Sequence, residues 1–191
     1  MKAITRVLMA TGLMVTATAA SAHAGHDAGT GFASGLLHPM LGLDHLLAMA
    51  AIGFWSVRQS ATLKNSTPLF VIGGMILGAA IAWGGLSLPG VETGIALSVL
   101  LAGILIATMA KLPTVVGGTL VAAFMVFHGF AHGAEMPAGA ALLAYLAGFS
   151  IATLALTFVG RGLGALLLKS DNRITRAIGA ALVSAGVMFA G

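Results

Sequence analysis

The sequence contains no cysteine among its 191 residues, and only 7% of the residues are charged. The missing thiols exclude disulfides, thiolate nucleophiles and cysteine-ligated metal sites. A typical soluble domain carries about 25% charged residues, whereas 59% of this sequence is hydrophobic. These proportions are typical of an integral membrane protein. The formal net charge of +4 does not indicate nucleic-acid binding, because only nine lysines and arginines produce it.

The first residues have the pattern of a secretory signal peptide. Lys2 and Arg6 precede a short apolar run, and the small residues 20–22 form a cleavage site. Residues 22–24 form a second candidate site, and an uncleaved first membrane helix is the alternative interpretation. The predicted organisation is a signal peptide over residues 1–22, an external histidine-containing segment over 23–34, and one membrane domain over 35–191.

Six further segments are apolar enough to cross a membrane, for which a helix needs about 20 residues. Lysine, proline, glycine, asparagine and serine separate them. The predicted fold is therefore an all-α bundle of six transmembrane helices. Their expected ranges are Gly35–Val57, Pro68–Leu86, Gly94–Ala110, Thr114–Met136, Ala138–Leu167 and Ala177–Ala190.

The positions of the basic residues predict the orientation of this bundle. If the mature chain starts outside and each helix crosses once, seven lysines and arginines fall on the cytoplasmic side, as the positive-inside rule expects. Both mature termini then face outside, and the protein is expected in a bacterial inner membrane. Gly74 and Gly78 form a small-residue pair that predicts close helix packing. The basic residues are Arg58, Lys64, Lys111, Arg161, Lys169, Arg173 and Arg176.

The stretch HPMLGLDHLLAM, residues 38–49, places ionisable side chains in the first predicted span. His38 and His45 are seven residues apart, which aligns them on a helix, and Met49 lies one turn beyond His45. Pro39 either begins the helix or kinks it, because the residue before proline avoids the α conformation. In both cases His38 lies near the outer end of the span.

A second polar stretch, FHGFAHGAEMP, occupies residues 127–137 at the end of the fourth predicted span. The spacing of His128, His132 and Glu135 places them on one helical face. His45 is expected about 9 Å below the outer end of its helix and His128 about 12 Å below the end of its own, at 1.5 Å per residue. The two stretches should therefore converge in the outer half of the membrane.

Such a set of residues is suited to a divalent transition metal. Ionisable residues inside membranes are rare and usually functional, and imidazoles with carboxylates are ligands for nickel, zinc, copper and iron. Alternatives remain for each residue. A membrane histidine is often a hydrogen-bonded structural residue, Asp44 and His45 could relay protons, Glu135 could end a solvated helix, and Glu92 is interpreted as a solvated loop residue. His23 and His26 are interpreted as part of a flexible tail or as accessory ligands.

These two motifs resemble the HupE/UreJ family of hydrogenase and urease accessory proteins. The signature HPxxGxDHxxxM matches residues 38–49, and the second histidine-rich stretch matches residues 127–135. The resemblance covers essentially the whole chain. It implies a nickel permease, with cobalt as another substrate. The metal-binding residues that it implies are His38, Asp44, His45, His128, His132 and Glu135, with Met49 as an accessory.

Three functions follow as hypotheses. The first is import of Ni²⁺ or Co²⁺ by facilitated or secondary transport, with the metal as substrate and with no prosthetic group or enzymatic activity. The second is an intramembrane zinc hydrolase, in which three histidines and a carboxylate activate water. The third is a membrane chaperone or sensor that binds metal without moving it. The predicted partners are the metal ion and the lipid bilayer, without nucleic acid and with no oligomeric state assigned.

Overall fold

The computed structural model describes residues 31–191, and the regular elements of that part are seven helices without a strand. The all-α prediction is therefore confirmed for this part of the chain. The predicted signal peptide and residues 23–30 of the predicted segment 23–34 lie outside the described residues. The helices are α1 (Gly31–Leu41), α2 (Leu43–Ser56), α3 (Ala61–Trp83), α4 (Val91–Ala107), α5 (Thr114–Ala134), α6 (Leu142–Leu167) and α7 (Asn172–Ala190).

Helix length and composition support a multi-pass membrane protein. In the described part, four helices are long and apolar enough to cross a membrane, namely α3, α5, α6 and α7. The pair α1 and α2 provides a fifth span if it is counted as one, bent by 81°. Helix α4 is apolar but shorter, with 17 residues. The count of six spans remains a prediction.

The break in the first predicted span lies at Gly42, so the expectation of a helix start or kink at Pro39 was wrong. Helix α1 continues through Pro39 to Leu41, and Gly42 is extended, with φ −87° and ψ 115°. A Cβ at Gly42 would lie 3.0 Å from Oδ1 of Asp44 and 3.2 Å from Nδ1 of His45. Glycine thus leaves room for both polar side chains at the bend.

Helix α2 occupies the centre of the bundle, since Ala48, Met49 and residues 51–56 are all buried. It packs mainly against α6 and α4, while α3 pairs with α5 and α4 with α7. The close packing predicted at Gly74 and Gly78 is confirmed. A Cβ at Gly78 would lie only 2.6 Å from the backbone nitrogen of Phe130, so α3 and α5 meet backbone to backbone.

The two ends of the bundle differ in composition. The first, called here the basic end, carries the seven lysines and arginines named above, and contacts there join Arg58 to Thr175 and Arg161 to the carbonyl of Lys64. The opposite end, called here the histidine end, carries α1, the start of α4 and the end of α5. The clustering of basic residues at one end is as predicted, while the side of the membrane that it faces remains a prediction.

Candidate metal-binding site

Four histidine rings form a continuous series at the histidine end, called here the histidine chain. The ring of His38 lies 5.0 Å from that of His132, which lies 4.6 Å from that of His45. The ring of His45 lies 4.6 Å from that of His128. All three contacts are edge-to-face. The two polar stretches, residues 38–49 and 127–137, which are far apart in sequence, therefore do converge in the fold.

Exposure is highest at the His38 end of this chain and lowest at its His128 end. The side chains of His38 and Glu135 are 33% and 55% exposed, and His45 is 9% exposed. His132 and His128 are 1% and 0% exposed. The chain is thus a short polar route that begins at the surface and ends inside the bundle.

Each of the two predicted carboxylates is paired with one histidine. Nε2 of His38 lies 2.6 Å from Oε2 of Glu135. Oδ1 of Asp44 accepts a hydrogen bond from the backbone nitrogen of His45 at 2.8 Å and lies 3.0 Å from its Nδ1. An ionised carboxylate can only accept. A neutral His45 ring that donates through Nδ1 to an ionised Asp44 carries its lone pair on Nε2.

A cavity of about 200 Å³ opens beside the histidine chain. This volume is large enough for several water molecules. Three carboxylates and three imidazoles border it, so a cation would meet ligands of the kind that first-row transition metals accept. The lining residues are His38, Leu41, Gly42, Asp44, His45, Glu92, Ile95, Ala131, His132 and Glu135.

Four buried imidazole nitrogens lack a hydrogen-bond partner within residues 31–191. They are Nε2 of His45, Nδ1 of His128 and both ring nitrogens of His132. A buried polar atom without a partner costs about 1–3 kcal/mol, and such groups in a native protein require an explanation. Binding a cation for part of the working cycle would supply one.

The predicted ligands lie next to one another, but their donor atoms are not arranged to coordinate one metal ion. Within the described part of the chain, no group of three or more histidine, aspartate or glutamate side chains is arranged to hold a metal ion. The rings contact each other by their edges rather than directing nitrogens toward one point. Met49 is 0% exposed and belongs to the apolar core. His23 and His26, the other accessory ligands predicted, lie outside the described residues.

Glu92 was misinterpreted from the sequence as a loop residue. It lies in the first turn of α4 and borders the 200 Å³ cavity. The sequence did carry a signal, because Glu92, Ile95 and Ser98 recur every three residues and so share one side of a helix. The spacing alone does not reveal that this side of α4 faces α2 and α5.

Sequence reasoning also missed the residues that hold His132. Tyr145 donates its hydroxyl hydrogen bond to the backbone carbonyl of His132 at 3.0 Å. The ring of Phe149 stacks on the His132 ring with a centroid distance of 5.4 Å and an angle of 10°. Both aromatic residues are buried in α6. Their spacing of four residues was visible, but it is equally typical of ordinary core packing.

The fold and the site define a multi-pass helical membrane protein with histidines and carboxylates gathered inside one end of its bundle. A sequence model described as "HupE / UreJ protein" matches residues 11–189, and the chain belongs to this family. It is 39% identical over 168 residues to "Protein HupE" of Rhizobium leguminosarum bv. viciae, covering 87% of each chain. No solved structure matches the chain.

Membership confirms the resemblance carried by the two motifs. The family is associated with nickel and cobalt transport as an accessory to hydrogenase and urease. Its members are accessory proteins of the permease type and are not enzymes. The prediction that the chain is not an enzyme is thereby confirmed, and the zinc hydrolase hypothesis is set aside.

Proposed function

We propose that this protein is a permease that imports Ni²⁺, with Co²⁺ as the second substrate, through the histidine chain that α1, α2 and α5 supply. The observation that carries the proposal is the set of four buried imidazole nitrogens without partners beside a cavity bordered by carboxylates. Each such nitrogen costs free energy in the empty site. A divalent cation would use the one lone pair that each of these three neutral rings carries and would balance the charge of the carboxylates.

The gradient of exposure supports an order of events. The carboxylates of Glu92, Glu135 and Asp44 border the wider cavity and attract the hydrated cation. The more deeply buried imidazoles of His45, His132 and His128 then replace its water molecules. Carboxylates supply charge at the surface, where it is well solvated, and neutral imidazoles supply ligands in the interior, where a charged side chain is costly.

The loose arrangement of the ligands also supports transport over permanent binding. A transported ion must be held strongly enough to enter and weakly enough to leave. Histidine rings that touch by their edges have to rotate before their nitrogens can share one ion, and this rotation lowers the affinity. A resident metal would instead favour ligands already directed at one point.

The remaining parts of the proposal concern topology and destination. We assign six spans, with the basic end in the cytoplasm and the histidine end outside, because lysine and arginine concentrate on the cytoplasmic side of membrane proteins. Residues 1–22 act as a cleaved signal peptide. The imported metal supplies a nickel enzyme such as hydrogenase or urease. The sequence contains no P-loop, so transport is facilitated or coupled to another ion.

Uptake of radioactive nickel into liposomes that contain the purified protein tests the proposal. Wild type should show saturable uptake, and both Asp44→Asn and His45→Ala should reduce it by at least about 100-fold, because they remove groups that contact the ion directly. The matched control is Asp171→Asn, which makes the same chemical change at an exposed cap of α7 at the basic end. It should transport like wild type.

Two results would contradict the proposal. Wild-type protein that binds nickel without moving it would support the chaperone or sensor hypothesis instead. Saturable uptake that survives in both variants would show that the ion does not pass through the site at the start of α2. Correct folding of each variant is checked by its elution volume and helical circular dichroism.

A further inference from the structure

Ser98 of α4 is the buried partner of the innermost histidine. It is 2% exposed, and its hydroxyl oxygen lies 2.8 Å from Nε2 of His128. The same hydroxyl lies 2.6 Å from the backbone carbonyl of Ile95. Ser98 belonged to neither polar stretch of the sequence, and the transport proposal above does not use it.

The two contacts of Ser98 determine where the hydrogens lie. A carbonyl oxygen can only accept, so the single hydroxyl hydrogen of Ser98 is donated to Ile95. The serine oxygen can therefore only accept from His128, and the hydrogen between them belongs to Nε2. The other ring nitrogen, Nδ1, is buried without a partner in the described part of the chain.

A second hydrogen on Nδ1 is excluded by burial. It would convert the ring into an imidazolium with no exposed surface, and that charge would face no acceptor at Nδ1 among residues 31–191. Burying a charge without a partner costs far more than burying a neutral imidazole. The ring is therefore neutral, with its hydrogen on Nε2 and its lone pair on Nδ1.

We propose that Ser98 is a positioning residue that fixes His128 in the Nε2–H tautomer, so that Nδ1 is the atom offered to the metal ion. The proposal rests on the transport function proposed above. Histidines that bind metals commonly donate their second ring nitrogen to such a partner, which orients the ring and selects the ligating atom. Here that partner is supplied by α4, so the third predicted span contributes to a site that the sequence placed only in the first and fourth.

Nitrogen-15 NMR of histidine-labelled protein in lipid nanodiscs tests the tautomer without any transport assay. The His128 signals are assigned by their disappearance in His128→Asn. Wild type should show a protonated Nε2 and a pyridine-type Nδ1. A wild-type spectrum with the hydrogen on Nδ1 would overturn the proposal, whatever the variants do.

Three variants separate positioning from simple packing. Ser98→Ala should give mixed tautomers and raise the nickel KM of uptake about 10- to 100-fold, the usual effect of removing a partner of a ligand. Ser98→Thr keeps the hydroxyl, and the cavity of about 20 Å³ beside position 98 gives room for the added methyl group. This variant should therefore show the wild-type tautomer and the wild-type nickel KM. The matched control is Ser56→Ala. Ser56 is equally buried and bonds the carbonyl of Gly53 at 2.7 Å.

The outcomes distinguish this proposal from the transport function. If Ser98→Ala keeps the wild-type tautomer and nickel KM, the positioning role is wrong while the permease stands. If wild type shows the expected tautomer but no nickel uptake, the permease is wrong while Ser98 still fixes the ring. If Ser56→Ala has the same effect as Ser98→Ala, the loss is one of packing and the positioning role is wrong.

Discussion

At the histidine end of the bundle, ionisable side chains border a cavity of about 200 Å³, whereas toward the basic end the described residues border cavities of about 20 and 10 Å³. Trp55 borders both small cavities and lies between them. The large cavity reaches the surface through exposed residues such as Glu135. The small cavities are bordered mainly by leucine, isoleucine, alanine and aromatic side chains.

Hydrogen bonding differs between the two ends as well. At the basic end, the side-chain amide of Gln59 donates to the carbonyl of Ala110 at 3.0 Å and accepts from the backbone nitrogen of Leu112 at 3.0 Å. The indole nitrogen of Trp55 donates to the same carbonyl at 3.1 Å. These four residues are called here the amide seal. Its polar groups are paired, whereas four nitrogens of the histidine chain lack partners within residues 31–191.

If the proposed transport path is correct, the contrast indicates which of its ends is open in this conformation. Paired polar groups rigidify a closed structure, while unpaired ones are suited to receiving a ligand. Under the proposed function, the described conformation would receive a cation at the histidine end and would be closed at the basic end. A permease with alternating access must also adopt the opposite arrangement, and in the proposed mechanism the amide seal would be the part that opens.

The largest expected effect is a difference in thiol accessibility between the two ends. Ala131 borders the large cavity and Ala102 the 20 Å³ cavity, and their exposures are nearly equal at 6% and 7%. A cationic methanethiosulfonate should modify Ala131→Cys about 100-fold faster than Ala102→Cys. The reason is that the reagent should reach position 102 only when the amide seal opens. Opening breaks three hydrogen bonds of about 1 kcal/mol each, and every 1.4 kcal/mol slows the modification about tenfold.

The natural absence of cysteine makes this comparison direct. The chain contains no thiol, so each variant carries one and the wild type serves as the unlabelled control. Equal rates at the two positions would mean that the basic end is as open as the histidine end. That result would contradict the conclusion that the histidine end is open and the basic end is closed.

A smaller effect is expected from weakening the seal. Gln59→Ala removes two hydrogen bonds of the seal, to Ala110 and from Leu112, each worth about 0.5–1.5 kcal/mol to the closed arrangement. The Ala102→Cys thiol should then be modified about tenfold faster, because the closed arrangement is less stable. The rate at Ala131→Cys, on the other side of Trp55, should not change. A rise at both positions would indicate general loosening of the bundle rather than opening at one end.

The sequence predicted the histidine chain better than it predicted its surroundings. The offsets of His128 and His132 within a single helix follow from the 3.6-residue period, and the depths of His45 and His128 follow from the rise per residue. Those regularities explain why the convergence of the two stretches was foreseen. They also explain the correct expectation of close packing at Gly78, which needs only helical spacing and small side chains.

The parts that were missed depend on contacts between helices. The bend lies at Gly42, where the side chains of Asp44 and His45 approach the backbone closely, and no periodicity encodes that contact. Ser98 contacts His128, which is 30 residues away in sequence, and Gln59 contacts Ala110, which is 51 residues away. A serine or glutamine in an apolar segment gives no signal of its partner until the neighbouring helix is known. For the same reason, adjacency of the imidazoles could be predicted while their edge-to-face orientation could not.

The smallest expected effect is that of a substitution at Met49, which lies one turn after His45 on α2, between the histidine end and the basic end. The sequence predicted Met49 as an accessory ligand, but its side chain is fully buried in the apolar core with Tyr145 and Phe149. Met49→Leu conserves volume and costs less than about 1.5 kcal/mol of stability, so the nickel KM of uptake should stay within about twofold of wild type.

A much larger rise in the nickel KM of Met49→Leu would mean that the thioether binds the ion. The metal site would then extend one helical turn deeper into the bundle than His45. Met75→Leu on α3 is the matched control. Met75 is equally buried in the same apolar core, but α3 supplies none of the proposed ligands. If both variants shift the KM equally, the cause is packing. A shift confined to Met49→Leu would move the boundary of the site from His45 to Met49.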